Sequence, residues 1–171
     1  MRVLMIGGGS ERGLALARSL TAEGHAVRIV SREGARREAI EAVGAECYVG
    51  TPDVVGTIRF ALENVTVLCW LLGTAEHQDP EKLEALFGSR LKMLLEKTTD
   101  TTVRGVVFED AGTVADELLA SGRHEVEWAF EKNEIPYAYL RADGRDVDAW
   151  VPAAREAIDS LLTAVRATPQ R

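Results

Sequence analysis

Six short apolar runs punctuate the chain, at 3–6, 26–31, 46–49, 65–72, 105–109 and 137–141. Several are unbroken Val/Ile/Leu stretches rather than alternations, the pattern of strands buried on both faces. Between them, apolar residues recur every three or four positions. One such segment covers 13–23 and stops at Gly24, and a second covers 33–43 and stops at Gly44, each glycine placed as a helix terminator. A weaker third covers about 53–63. The fourth opens with Asp79 as N-cap and Pro80 at the first helical position, then continues through Leu83, Leu86, Phe87, Leu91, Leu94 and Leu95. A fifth spans about 123–133, and a last one about 151–167, with Ile158, Leu161, Leu162 and Val165 on one stripe. Strand then helix, repeated along the chain, predicts an α/β fold: a doubly wound, mostly parallel sheet of about six strands with helices on both faces. The pattern predicts one domain over 1–167 and a frayed tail at 168–171.

Composition narrows the function classes. The 171 residues are 46% hydrophobic and 27% charged, which is globular rather than disordered. A formal net charge of −7 gives no support to a nucleic-acid partner. The longest apolar run, near 65–73, is far short of a membrane span, and MRVLMIGGGS is too short an apolar stretch for a signal peptide. The expected setting is the cytoplasm, without nucleic acid or membrane as partner. Cys47 and Cys69 both fall in apolar runs and read as buried free thiols, and no Cys/His spacing suggests a metal site.

The chemistry-bearing stretch is IGGGSERGLALARSL at 6–20, where the first strand runs into glycines and a helix follows at once. A dinucleotide turn needs a tight backbone, an approach to the pyrophosphate without an intervening Cβ, and helix N–H groups aimed at the anion. The G-x-G-x-x-G spacing from Gly7 and Gly9 puts Arg12 where the third glycine belongs, with Gly13 one later. A P-loop is excluded, because Leu14 and Ala15 follow Gly8 to Gly13 where Lys and Ser/Thr are required. The looser G-x-x-x-G-x-G spacing fits Gly9 and Gly13, with Ala15 in the third place. In this form the run resembles the glycine motif of short-chain dehydrogenases/reductases, and implies a Rossmann-like fold in which Gly7, Gly9, Ser10, Glu11, Arg12 and Gly13 hold a dinucleotide.

The second strand ends HAVRIVSRE, so Ser31 and Arg32 stand where an NAD site places an acid for the ribose 2′-hydroxyl. An acid there would repel a 2′-phosphate, whereas Arg32 attracts it and Ser31 adds a hydrogen bond. In the family, an Arg before the second glycine accompanies NADP preference, and Arg12 matches that. NADP(H) is therefore expected over NAD(H). Arg36 and Arg37 read as solvated helix charges, Arg37 four residues on from Glu33. Family members place an Asp after the third strand to touch the adenine; AECYVGTPD has Gly50 and Thr51 there, with Asp53 two residues late.

The resemblance continues in LCWLLGTA (68–75), whose Leu72, Gly73 and Thr74 would line the nicotinamide ribose, and in NEIPYAYLRAD (133–143), which points to the atypical, NmrA-like branch. The catalytic Tyr-x-x-x-Lys is missing: four residues before Lys82, Lys92, Lys97 and Lys132 stand Gln78, Gly88, Met93 and Trp128. At the fifth strand end Glu109 and Asp110 replace the expected Ser/Thr, and Arg123 or His124 falls where the Lys would be. The remaining candidates for proton chemistry are His77, Asp110 and His124. Trp150, in RADGRDVDAW, is either an aromatic lid over a substrate or a core plug. Two functions stay open. One is a small NADPH-dependent reductase without the Tyr/Lys pair, passing hydride to a flavin- or quinone-like acceptor. The other is a non-catalytic NADP(H)-dependent redox sensor or interaction module, with a protein partner or a second copy of the chain.

Overall fold

Backbone N–H and C=O groups buried on both faces of a sheet find partners only in neighbouring strands, so the continuous apolar runs pair with one another. A computed structural model describes residues 1–167, with side chains to Thr163. The tail 168–171, expected to fray, and the side chain of Val165 lie outside the described residues. The strands are β1 (Arg2–Ile6), β2 (Ala26–Ser31), β3 (Glu46–Val49), β4 (Val67–Trp70), β5 (Gly105–Glu109) and β6 (Tyr137–Leu140). They form one six-stranded sheet in the order β3-β2-β1-β4-β5-β6, every neighbouring pair parallel. The order reverses between β1 and β4, and it is outside the carboxyl ends of strands at such a switch that open α/β sheets bind ligands.

The helices are α1 (Glu11–Ala22), α2 (Arg37–Ala42), α3 (Pro80–Leu86), α4 (Ser89–Lys97), α5 (Asp116–Asn133) and α6 (Val147–Ala167). One face of the sheet packs Val3, Met5, Ile29, Cys69 and Val107 against Leu16 and Leu20 of α1, Ile40 of α2 and Trp150 and Ile158 of α6. The other packs Leu4, Ile6, Trp70 and Phe108 against Leu86, Leu91, Leu95 and Val126 of α3, α4 and α5. Cys69 is fully buried, and burial pushes its thiol up to about 12, so it is inert; Cys47 is only half-buried. No helix among the described residues is long and apolar enough to cross a membrane.

Several helix expectations are corrected. The segment 53–63 forms two 3₁₀ turns, Val55–Thr57 and Arg59–Leu62, in place of an α-helix. Its Val, Ile and Thr are stiff at χ1, and the Thr57 hydroxyl donates to the Thr51 and Val54 carbonyls, competing with a helical ladder. The helix expected from Pro80 onward breaks at Gly88 into α3 and α4. Helix α2 starts only at Arg37, because Glu33 (φ 53) and Gly34 (φ 69) are left-handed. Helices α5 and α6 begin earlier than their apolar stripes suggested, at Asp116 and Val147.

Trp150 is 0% exposed, a core side chain and not a lid. Gly122, inside α5, faces the ring of Phe108, where an added Cβ would stand 2.2 Å from the nearest ring atom. That ring is held edge-on between Phe87 and Tyr139. Gly122→Ala should therefore lose about 1–3 kcal/mol through overpacking, measured by urea unfolding. A gain of about 1 kcal/mol, the usual return from replacing a helical glycine, would show that the contact is soft.

Candidate functional site

Beyond Ile6 the chain turns through Gly7, whose φ of +84° and would-be Cβ, 2.2 Å from the Leu71 carbonyl oxygen, admit only glycine. A Cβ at Gly13 would stand 2.4 Å from the Gly8 carbonyl oxygen. Both glycines thus serve the chain's own packing. Ser10 caps α1, its hydroxyl accepting from the Gly13 N–H at 3.2 Å. Glu11, in the first turn, is exposed. Gly9 is different: it is not left-handed, and a Cβ there would meet only the Arg36 side chain, at an ordinary 3.5 Å. Nothing among the described residues requires glycine at this position, whereas a phosphate brought against the backbone would. Arg36 lies across the turn and donates through Nε to the Gly9 carbonyl at 3.1 Å. Arg36, expected to be a solvated helix charge, stands two residues beyond the left-handed Glu33 and Gly34, just ahead of α2. Arg37 pairs with Glu41, not with Glu33.

At the end of β2, Ser31 is buried and its hydroxyl accepts from the Arg36 N–H at 3.3 Å. Arg32 is 62% exposed and donates through Nη2 to Asp53 at 2.7 Å. His77 Nδ1 accepts from the Asp79 N–H at 3.1 Å, which leaves Nε2 as the protonated nitrogen of the neutral ring, 3.5 Å from the same Asp53 carboxylate. The late Asp53 is thereby brought back to the strand end, joining Arg32 to His77. Arg32 and His77 edge a cavity of about 230 Å³ whose other walls include Gly7, Val30, Gly50 and Leu72.

The opposite side of the switch is built around Glu109, 2% exposed at the end of β5. Alternation along the strand turns it to the same face as Val107. Its Oε1 accepts from Arg12 Nη2 and from the Gly73 N–H, both at 2.8 Å; its Oε2 accepts from Arg12 Nε at 3.1 Å and Trp150 Nε1 at 2.9 Å. The Arg12 guanidinium also lies over the Trp150 ring, 5.4 Å from its centroid. The expectation that Arg12 faces a 2′-phosphate is therefore corrected: it is 7% exposed, and a carboxylate buried without a cation would cost several kcal/mol, so Glu109 claims it.

Gly73, expected to line a nicotinamide ribose, is buried, with its N–H on Glu109 and its carbonyl accepting from the Thr113 and Val114 N–H groups at 2.9 and 3.1 Å. A Cβ at Gly73 would stand 1.9 Å from the Ala111 carbonyl oxygen, so the loop after β5 is pressed onto it. Leu72 and Thr74 are partly exposed on either side. Asp110, its side chain 3% exposed, is clamped by Arg123 at 2.5 Å and Arg141 at 2.9 Å. His124 is exposed on α5, away from any such partner. Tyr139 donates to Glu127 at 2.7 Å; burial first, and that hydrogen bond second, push its pKa up, the reverse of what a proton-transfer tyrosine needs.

Neither a family model nor a curated protein matches the sequence. Among solved structures, a UDP-glucose 4-epimerase from Thermotoga maritima, determined with UDP-glucose, is 17% identical with a TM-score of 0.68, over 82% of this chain and 55% of its own. A short-chain dehydrogenase/reductase superfamily protein from Agrobacterium tumefaciens, with bound NAD, is 18% identical with a TM-score of 0.64, over 82% and 48%. A triphenylmethane reductase from a Citrobacter species is 15% identical with a TM-score of 0.59, over 82% and 48%. The chain spans about half the length of the solved proteins it matches. These likenesses establish the fold, a Rossmann-like doubly wound sheet.

Glu109→Gln keeps the shape of the buried hub but leaves the Arg12 charge without a counter-ion. It should destabilise the chain by about 3–5 kcal/mol, and adding Arg12→Met should recover a large part of that loss. Urea unfolding of the single and double variants measures both; a loss below about 1 kcal/mol would mean that the pair behaves as a surface salt bridge.

Proposed function

We propose that this chain is an NADP(H)-binding protein that acts as a nucleotide-responsive module rather than as a reductase of the Tyr/Lys kind. The observation that carries the reading is Gly9, whose missing side chain no contact among the described residues requires, with Arg36 laid across it and Arg32 at the end of β2, both with donors to spare. Arg32 engages Asp53 and Thr51 through Nη2 alone, leaving Nε and Nη1 without partners among the described residues. Arg36 uses only Nε, on Gly9. Two guanidinium groups with unused N–H donors beside an open backbone suit a phosphate, and their place at the end of β2 suits the 2′-phosphate of NADP(H). Gly7, Ser10 and Gly13 shape the turn that would receive the pyrophosphate, and Ser31 fixes the Arg36 backbone. The 2′-phosphate would share Arg32 with Asp53.

Hydride transfer to a flavin- or quinone-like acceptor finds no comparable support. Asp110 is held between two arginines, His77 sits against Asp53, and His124 is exposed. The binding reading is further supported by NAD in solved proteins of the same fold, including the Agrobacterium protein.

Thermal unfolding with NADPH and NADH, on the wild type and on Arg32→Glu, tests the proposal. A ligand that binds only the native state at a hundred times its Kd adds about 2.7 kcal/mol, which for a chain of this size raises Tm by roughly 5–10 °C. NADPH should give a shift of this order and NADH a smaller one, and Arg32→Glu should abolish the difference. Identical curves with and without either nucleotide would overturn the reading.

A further inference from the structure

Resting on the nucleotide reading above, we infer that this chain recognises only the adenosine-phosphate end of the dinucleotide, and that its own side chains exclude the nicotinamide end. A dinucleotide laid across the switch between β1 and β4 needs room on both sides, toward β2 and β3 for the adenosine and toward β5 and β6 for the nicotinamide. The first side is open. It holds the 230 Å³ cavity, below the ~300 Å³ at which pockets for larger organic ligands begin and suited to a nucleoside-sized group, with Arg32 and Gly7 in its wall and Gly9, crossed by Arg36, two residues on from Gly7.

On the second side, the space next to the glycine turn is filled. Arg12 reaches from the first turn of α1, across the end of β4, to Glu109 at the end of β5, and the two residues are 7% and 2% exposed, covered by the chain itself. Making room there would break a bidentate ion pair and strip a buried carboxylate of the Gly73 and Trp150 donors as well. Both backbone polar groups of Gly73 are already engaged inside the chain, so they have nothing left to offer a ribose hydroxyl.

A second cavity, about 330 Å³, does open on this side, between Thr74, Ala111, Thr113, Arg141 and Gly144. It shares no lining residue with the first and includes none of the glycine turn. Thr113, in the wall of this second cavity, is tied with Val114 to the Gly73 carbonyl by backbone N–H groups. The ligand class that fits is therefore an adenosine carrying 2′- and 5′-phosphates, with the nicotinamide, where present, left in solvent and its oxidation state unread.

Calorimetric titration of the whole chain with NADP⁺, NADPH and adenosine 2′,5′-bisphosphate tests this, together with the fluorescence of bound NADPH. The three ligands should bind within about threefold of one another, and the NADPH emission should stay where it is in water. Binding of NADP⁺ or NADPH more than about tenfold tighter than the bisphosphate, or a blue-shifted emission, would overturn the inference while leaving the nucleotide reading intact. Failure of all three to bind would overturn that reading, and the inference with it.

Discussion

A carboxylate on the core face of a strand must collect donors or be expelled, and Glu109 collects four. Two come from the Arg12 guanidinium, one from the Gly73 backbone and one from the Trp150 indole. Through them a single buried charge ties together the first turn of α1, the loop after β4, the end of β5 and the first turn of α6. Such a network is strong only when complete, because each missing partner would leave a polar group unsatisfied in a low-dielectric interior. Gly73 and Gly112 follow from the same demand. The loop after β5 must lie directly on the end of β4, and a Cβ at Gly112 would stand 2.0 Å from the Gly73 carbonyl oxygen.

The hub also divides the crevice that the sheet topology creates. Where α/β proteins of this plan lay a ligand across the switch in strand order, this chain lays a salt bridge across half of it. The half beside β2 and β3 keeps the features of a phosphate-binding turn: a glycine that no internal contact requires, a capped helix start, and two arginines with donors to spare. Asp53 tempers that positive edge, since it holds Arg32 on one side and meets His77 on the other. On the proposed reading, adenosine recognition and exclusion of the nicotinamide are two consequences of one arrangement. The same cross-strand pair that rigidifies the carboxyl edge is, on that reading, what keeps a nicotinamide out.

Much of the sheet was legible from local pattern. The runs at 26–31, 46–49 and 105–109 became strands with those bounds, because continuous apolar residues have few alternatives inside a parallel sheet. Asp79 and Pro80 start α3 as their chemistry requires. What local pattern missed was set by partners distant in sequence. Arg12 and Glu109 are 97 positions apart, and each alone reads as the polar end of a motif. The signal was nonetheless present: alternation in GVVFE turns Glu109 toward the core with Val107, and a buried acid requires a cation. Arg36 was missed for a different reason. Its meaning depends on the left-handed Glu33 and Gly34, which delay α2 and carry the side chain back over Gly9. The segment 53–63 misled because its apolar spacing suits a helix, whereas its β-branched residues and the Thr57 hydroxyl favour tight turns.

The claim that the Arg12–Glu109 pair occupies half of the crevice is tested most directly by a crystal structure of the chain grown with NADP⁺. Ordered density is expected for the adenosine and its 2′-phosphate beside Gly9, Arg32 and Arg36, with no ordered nicotinamide and an intact Arg12–Glu109–Trp150 network. An ordered nicotinamide seated against Gly73, with Arg12 swung away from Glu109, would contradict it.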